Sequence, residues 1–202
     1  LDWDNTLVDS WAIIHLAMRT TLLELKRHPW TLEETKQRTG YSLRDSFPKL
    51  FRGDWQLAKR IFYEAFEEQH LKLLKPLPGA GELLKNLYAK GIYLGVVSNK
   101  TGRYLRIEAE YLGWHRYLTR VIGAGDAARD KPAKEALIMA LAGSNIIPGK
   151  NVWFVGDSTP DMQVAHNAGC LPVLLRANSP NPGEFMAFPP AWHATSCSDL
   201  EA

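Results

Sequence analysis

From Gly79 onward the chain alternates between helical patterns and short apolar runs, and this alternation restricts the fold more than any other feature. The apolar runs at 92–97, 121–124, 151–155 and 172–175 predict strands, and the segments between them carry apolar residues at helical spacing. Strands separated by helices of about ten residues form a parallel sheet, because each helix carries the chain back to the end of the sheet where the previous strand began. We therefore expect an α/β domain, with a Rossmann-like parallel sheet covered by helices on both faces.

The stretch 10–76 has a different pattern, without the alternation of apolar and polar residues that marks strands. Ser10–Lys26 and Asp54–Leu74 both carry apolar residues at helical spacing. We expect an all-helical domain over residues 10–76, inserted into a core domain that is formed by residues 1–9 and 77–202. The aromatic residues of the insert are predicted to build its core: Trp11, Trp30, Phe47, Phe51, Trp55, Phe62 and Phe66.

Composition excludes several classes of protein. The chain has 202 residues, 46% of them hydrophobic, and a net charge of +2, which argues against intrinsic disorder. Its apolar runs are far shorter than the ~20 residues of a membrane span. Cys170 and Cys197 are too few for a disulfide framework and fit a reducing compartment. We expect a cytoplasmic protein, a monomer or homodimer, that binds neither a membrane nor nucleic acid, since no basic stripe is evident.

Acidic clusters follow two apparent strand positions, at Asp2–Thr6 and at Gly156–Asp161. Because the carboxyl ends of parallel strands meet at one edge of a sheet, we expect these carboxylates to converge. Converging carboxylates repel one another unless a cation lies between them, and oxygen ligands without a nearby Cys or His favour Mg²⁺ over zinc. Each cluster alone is equally typical of an ordinary turn or helix cap.

Two further segments can bind an anion. Ser98-Asn99 follows a predicted strand and precedes a helix, where a hydroxyl and free backbone N–H groups are available. Lys131 precedes a helix predicted over 132–142, an unfavourable place for a cation beside the helix dipole. That cost is offset if Lys131 neutralises a bound phosphate or a nucleophilic carboxylate, although a lone lysine here is also typical of a solvated surface.

In this order, the four segments resemble the motifs of the haloacid dehalogenase (HAD) superfamily, on its phosphatase side. The motifs are Asp2–Thr6, Ser98–Lys100, Lys131-Pro132 and Gly156–Asp161. Asn5 stands where many relatives have Gly, and Asn tolerates the backbone angles of such a turn. The family's first strand should precede Asp2, so we expect that strand to be truncated in this chain.

Three shorter segments are similar to the phosphoglycolate phosphatase subgroup of that superfamily: Leu7–Ser10, Pro78-Gly79 and Ala165–Gly169. The helical insert resembles the mobile cap of the same subgroup. In the loop that relatives lower onto the active site, Tyr41 and Arg44 are candidates for substrate specificity. Arg44 could bind a substrate carboxylate or a second phosphate, although it is equally typical of a solvated side chain.

The resemblance implies a role for each motif residue. Asp2 is the nucleophile, Asp4 is the general acid and base, and Lys131 offsets the negative charge of Asp2 and the phosphate. Mg²⁺ is held by the carboxylates of Asp2 and Asp157 and by the backbone carbonyl of Asp4, with Asp161 outside them. The groups that bind the phosphoryl oxygens are Thr6, Ser98 and Asn99.

The function implied is a Mg²⁺-dependent phosphatase that hydrolyses a small phosphorylated metabolite, such as a phosphoglycolate-like monoester. Dehalogenases of the superfamily lack the second carboxylate, so Asp4 argues against dehalogenation. One alternative is a phosphomutase of the β-phosphoglucomutase type, which uses the same carboxylate pair. The other is a catalytically idle binding or regulatory protein, against which the presence of all four motifs argues.

Overall fold

The computed structural model describes residues 1–201 and divides the chain into two compact units. One unit comprises residues 1–8 together with the described chain from Pro76 onward, and the other comprises Asp9–Lys75. The chain passes between the units at two short strands, β1 (Val8–Asp9) and β2 (Lys75–Pro76), which pair with each other.

The unit Asp9–Lys75 is helical, as its pattern predicts. Its helices are α1 (Trp11–Glu24), α2 (Leu32–Arg38), α3 (Leu43–Phe51) and α4 (Trp55–Leu73). Helix α4 packs against α1 and α3, and Phe62 of α4 meets Phe47 of α3 edge to face. Of the predicted core aromatics, Phe47, Phe51, Phe62 and Phe66 are buried, whereas Trp11, Trp30 and Trp55 are only partly buried.

The second unit alternates helices and strands. Its helices are α5 (Ala80–Ala89), α6 (Gly102–Tyr111), α7 (Glu135–Leu141) and α8 (Thr159–Ala168). Its strands are β3 (Gly95–Thr101), β4 (Arg120–Ala124), β5 (Trp153–Gly156), β6 (Leu171–Leu175) and β7 (Trp192–Ala194). Strands β3 and β4 form one parallel pair, and β5, β6 and β7 form a parallel sheet in that order.

Leu1 and Asp2 lie between these two groups of strands. The Val97 amide in β3 donates to the Leu1 carbonyl over 2.9 Å, and the Asp2 amide donates to the Val155 carbonyl in β5 over 2.7 Å. The two residues thus take the place of a strand in a continuous order from β4 through β3, Leu1-Asp2, β5 and β6 to β7. This arrangement puts Asp2 next to the carboxyl end of β5.

Helices cover the parallel strands. Helices α6 and α7 pack on β3 and β4, while α8 packs on β5 and β6. One buried apolar cluster joins β3, β5, α7 and α8 through residues such as Val97, Leu137, Phe154 and Val164. The predicted α/β class, with a parallel sheet and an inserted helical region, is confirmed. Among the helices of residues 1–201, none combines the length and apolar character needed to cross a bilayer.

The structure differs from the sequence prediction at one helix and in the tail. The helix predicted over 132–142 begins only at Glu135, because a turn in which the Ala133 amide donates to the Asp130 carbonyl precedes it. The helix-dipole argument for Lys131 was therefore wrong, since this residue lies before that turn. The tail contributes an additional strand, β7, which is too short to show a periodic pattern in the sequence.

Candidate active site

Three residues that are distant in sequence meet at the carboxyl end of the central strands. The Lys131 ammonium lies 2.6 Å from Asp2 Oδ1 and 2.6 Å from Asp161 Oδ1. All three side chains are buried, with exposed fractions of 2% for Lys131, 6% for Asp2 and 0% for Asp161. The first, third and fourth motifs are therefore brought together, as the strand-edge rule predicts.

Asp161 is fixed in this position by the start of helix α8. Its Oδ2 accepts hydrogen bonds from the Ser158 amide (3.0 Å) and the Ser158 hydroxyl (2.5 Å), which completes a capping box. Gly156 leaves the room that this arrangement needs, because a Cβ at that position would lie 2.4 Å from the Asp161 Cβ. Both carboxylate oxygens of Asp161 thus have protein partners, Lys131 on one side and Ser158 on the other.

Asp157 joins the cluster and makes it strongly acidic. Oxygen atoms of Asp2, Asp157 and Asp161 lie within 4.8 Å of one another. Burial and the neighbouring Asp161 raise the pKa of Asp2 to about 7, although Lys131 opposes this. Burial, with Asp161 and Asp2, also raises the pKa of Asp157 well above its usual value. The single ammonium group does not offset three carboxylates, so a divalent cation fits the residues present.

Lys131 is held in its charged form. Burial alone would lower the pKa of Lys131, but the carboxylates of Asp161 and Asp2 outweigh burial and raise it. A permanent positive charge therefore lies directly against Asp2. Such a charge stabilises the Asp2 carboxylate and any anion bound beside it.

The polar residues of the first and second motifs line the same region. The Thr6 hydroxyl, fully buried, donates to Asp157 Oδ1 over 3.4 Å. The Asn99 side-chain amide donates to the Lys131 carbonyl over 3.2 Å. Ser98 is buried in the middle of β3, where its hydroxyl accepts a hydrogen bond from the Lys100 amide.

The loop that carries Asp2 and Asp4 folds around one carbonyl group. The Trp3 carbonyl accepts hydrogen bonds from the amides of Thr6, Leu7 and Val8. Asn5 has a φ of 61° in this loop, which confirms the expected tolerance of Asn for the turn. The tight loop holds Asp2, Asp4 and Thr6 on one short segment, so their backbone positions are determined together.

Sequence reasoning missed the partners of Asp4. The Lys100 ammonium lies 2.7 Å from Asp4 Oδ1 and 2.6 Å from Glu108 Oε2. The indole N–H of Trp3 donates to the same Glu108 oxygen over 2.8 Å. One signal was available, because Glu108 lies among the apolar residues of α6, next to Ala109, where a carboxylate needs a partner.

Tyr41 and Arg44 belong to the helical unit. Tyr41 is 50% exposed just before the start of α3, and Arg44 is exposed in the first turn of that helix. Both side chains are thus accessible at the surface of their unit, and their role in specificity stays a prediction.

Comparison with known proteins gives a consistent result. Residues 1–174 match the family model described as haloacid dehalogenase-like hydrolase. A phosphoglycolate phosphatase of Pseudomonas fluorescens is 29% identical over 188 residues, which cover 86% of this chain and 67% of that protein. A phosphoglycolate phosphatase of Pseudomonas syringae pv. tomato is 32% identical over 190 residues, with the same coverage.

Comparison with solved structures agrees with the family match. A haloacid dehalogenase-like family hydrolase from Streptococcus pneumoniae superposes with a TM-score of 0.86 at 21% identity, covering 99% of this chain and 94% of that one. The predicted resemblance to the phosphoglycolate phosphatase subgroup and the predicted enzyme class, a phosphatase-type hydrolase, are confirmed at that level. With most of its length matched and its motif residues gathered at one strand edge, the chain belongs to the haloacid dehalogenase-like hydrolase family.

Proposed function

We propose that the protein is a Mg²⁺-dependent phosphatase that hydrolyses a small phosphomonoester through an aspartyl-phosphate on Asp2. The contact of buried Lys131 with Asp2 and Asp161, beside Asp157, carries the proposal. This arrangement combines a nucleophilic carboxylate, a fixed cation and a set of oxygen ligands within a few ångströms. Phosphoryl transfer requires little beyond such positioning and charge stabilisation.

The proposed Mg²⁺ ligands are the carboxylates of Asp2 and Asp157 and the backbone carbonyl of Asp4. Asp161 lies outside them, and its hydrogen bonds to Lys131 and Ser158 support that placement. When bound, the ion supplies positive charge that orients the phosphate group and offsets the charge of the carboxylates.

In the first step, an Asp2 carboxylate oxygen attacks phosphorus and the bond from phosphorus to the ester oxygen breaks. The leaving alkoxide takes the proton of the Asp4 carboxyl group and departs as an alcohol. Lys131 stays protonated throughout and stabilises the charge on Asp2 and on the phosphoryl oxygens. The hydroxyls of Thr6 and Ser98 and the backbone N–H of Asn99 orient those oxygens.

In the second step, water attacks the phosphorus of the aspartyl-phosphate and gives a proton to the Asp4 carboxylate. The bond between phosphorus and the Asp2 oxygen breaks, which releases inorganic phosphate and restores the Asp2 carboxylate. Asp4 is then protonated again and ready for the next substrate. One group therefore serves as acid in the first step and as base in the second.

Removal of divalent cations is expected to make stability depend on pH. The pKa of Asp2 is about 7 in the folded protein, against 3.8 in the unfolded chain, so the folded state binds more protons between these values. Without metal, stability should fall as pH rises from about 4 to about 7, because the Asp2 carboxylate becomes charged beside other carboxylates. Mg²⁺ should offset this loss, and its gain in Tm should be larger at neutral pH than at about pH 5.

Calorimetric melting curves with Mg²⁺ and with EDTA at both pH values measure this difference. An Asp157→Asn variant, which lacks one proposed ligand, serves as the control and should show a smaller gain in Tm. An equal Mg²⁺ effect at the two pH values would contradict the proposed ligand set.

For the substrate we propose a small phosphomonoester that carries a carboxylate, such as phosphoglycolate. The support comes from the names of the curated relatives and from the position of Arg44, an exposed residue in the first turn of α3. If Arg44 binds the substrate carboxylate, Arg44→Ala should raise KM for carboxylate-bearing substrates by about tenfold or more, since hydrogen bonds to charged groups contribute about 1.5–3 kcal/mol. The KM for a phosphomonoester without a carboxylate should hardly change, and Arg52→Ala, also exposed in this unit, is the matched control.

Release of inorganic phosphate from a panel of phosphorylated metabolites, with Mg²⁺ and with EDTA, tests the proposed function. Mg²⁺-dependent release from carboxylate-bearing monoesters supports it. Turnover that occurs only with a bisphosphate primer would instead indicate a phosphomutase.

The two free, buried cysteines, Cys170 and Cys197, support the proposal that the protein acts in the reducing cytoplasm.

A further inference from the structure

The side chains around Asp4 form a buried ionic cluster whose other members, Trp3, Lys100 and Glu108, have no role in the proposed reaction steps. Lys100 Nζ contacts Asp4 Oδ1 and Glu108 Oε2 at 2.7 and 2.6 Å, and Trp3 Nε1 donates to the same Glu108 oxygen at 2.8 Å. Exposed fractions are 0% for Trp3, 0% for Glu108 and 8% for Lys100. The cluster therefore joins strand β3, helix α6 and the loop of Asp2 and Asp4 away from solvent.

This cluster restrains Asp4 in two ways. The Lys100 ammonium contacts the carboxylate of Asp4 directly. The side chain of Trp3, the residue before Asp4, donates a hydrogen bond to Glu108. The Trp3 ring also packs edge to face on Trp114, with ring centroids 5.6 Å apart. Glu108 of helix α6 thus contacts both the Trp3 side chain and the Lys100 ammonium that binds Asp4.

Burying this ionic cluster costs desolvation free energy. Two carboxylates and one ammonium group lose most of their hydration here, and apolar side chains of similar volume often give equal or greater stability. Stability alone therefore does not account for the arrangement. A role in holding Asp4 accounts for it, because a proton donor must stay within hydrogen-bond distance of the leaving oxygen.

The backbone around Lys100 is shaped to bring its side chain inward. The parallel pairing of β3 with β4 is interrupted between Val97 and Thr101, so the segment 98–100 leaves the regular ladder. Gly123 on β4 permits this, because a Cβ there would lie 2.4 Å from the Gly102 Cα and 2.6 Å from the Lys100 carbonyl oxygen. The interruption places Ser98, Asn99 and Lys100 together between the two paired parts of β3.

We infer that Lys100 and Glu108 are positioning residues that hold the Asp4 carboxyl group for proton transfer to the leaving oxygen. This inference rests on the proposed function, since it concerns the proton donor of that reaction. Lys100 and Glu108 touch neither the substrate nor phosphorus in this scheme. They act only through Asp4.

Leaving-group dependence tests the inference. A poor alkoxide leaving group needs the proton of Asp4, whereas a p-nitrophenolate leaves without one. With enzyme in excess, Lys100→Met should slow release of the leaving group by about 10–100-fold for the best alkyl phosphate of the panel, part of the ~10²–10⁴ that a general acid supplies. For p-nitrophenyl phosphate the change should be less than about threefold. Lys85→Met, at an exposed position of α5, is the matched control.

A double-mutant cycle shows whether Lys100 acts through Asp4. Because the effect of Lys100 requires Asp4, Lys100→Met should cost nothing further in an Asp4→Asn background. Equal losses in the two backgrounds, or equal slowing of both substrates, would overturn the inference. Wild-type protein that releases no phosphate at all would overturn the proposed function instead, so the two failures are distinguishable.

Glu108→Gln provides a second variant if Lys100→Met does not fold. The Gln side chain keeps the volume and an oxygen that can accept the Trp3 N–H, but it loses the charge that anchors Lys100. We expect slowing of about 3–30-fold for the alkyl phosphate, again with little change for p-nitrophenyl phosphate. Glu110→Gln, exposed on the same helix, is its control. Unchanged alkyl phosphate cleavage in Glu108→Gln would overturn the inference independently.

Discussion

Asp2→Asn is expected to lower phosphate release by about 10⁴-fold or more, because a neutral amide cannot attack phosphorus and form the covalent intermediate. The same substitution should cost little stability at neutral pH. Asp2 lies among Asp157 and Asp161, and its raised pKa shows that its negative charge is disfavoured in the folded protein. Phosphate-release assays and thermal melting of the same preparation measure both quantities.

Asp45→Asn, at an exposed position of helix α3, is the matched control and should keep both activity and Tm. Loss of activity in Asp2→Asn together with a large fall in Tm would point to misfolding. Activity of Asp2→Asn within about tenfold of the wild type would contradict the assignment of Asp2 as nucleophile.

Lys131→Met is expected to reduce both activity and stability. Without the ammonium group, Asp2 and Asp161 remain buried without their cation, and breaking a buried ion pair typically costs about 3–5 kcal/mol. Protonation of the carboxylates relieves part of that cost, so the loss of stability should shrink as pH falls. Activity should fall by about 10³-fold or more, because the charge on the phosphoryl oxygens loses its fixed partner.

Denaturant unfolding of Lys131→Met at two pH values, beside steady-state kinetics, tests this prediction. Lys134→Met, exposed just before helix α7, is the control and should behave as wild type. Adding Asp161→Asn to Lys131→Met should recover stability but not activity, because it removes one unpaired carboxylate and restores no cation. A variant as stable as wild type at neutral pH would contradict the electrostatic role of Lys131.

Much of the candidate site could be predicted because its residues lie at the ends of predicted strands. Parallel strands deliver their carboxyl ends to one edge, so acidic residues far apart in sequence were expected to converge. The contact of Lys131 with Asp2 and Asp161 agrees with that rule. The argument for Lys131 from a helix dipole failed, because α7 begins at Glu135 and a turn separates the two.

Other features depend on contacts that local patterns do not encode. Two residues, Leu1 and Asp2, are too few to show strand periodicity, yet they hydrogen-bond to strands on both sides. The partnership of Lys100 with Asp4 and Glu108 arises from an interruption of β3, which the apolar run at 92–97 does not predict. The one indication in the sequence was the position of Glu108 on the buried face of α6, where a carboxylate needs a partner.

Direct detection of the covalent intermediate tests the central claim. Asp4→Asn should slow the second step, since the attacking water loses its base, so a phosphorylated enzyme should accumulate with p-nitrophenyl phosphate and Mg²⁺. Acid quenching followed by peptide mass spectrometry should find one phosphoryl group on the peptide that contains Asp2, and none in the double variant Asp2→Asn/Asp4→Asn. Phosphate release without any phosphorylated Asp2, or with the phosphoryl group on another residue, would contradict the account.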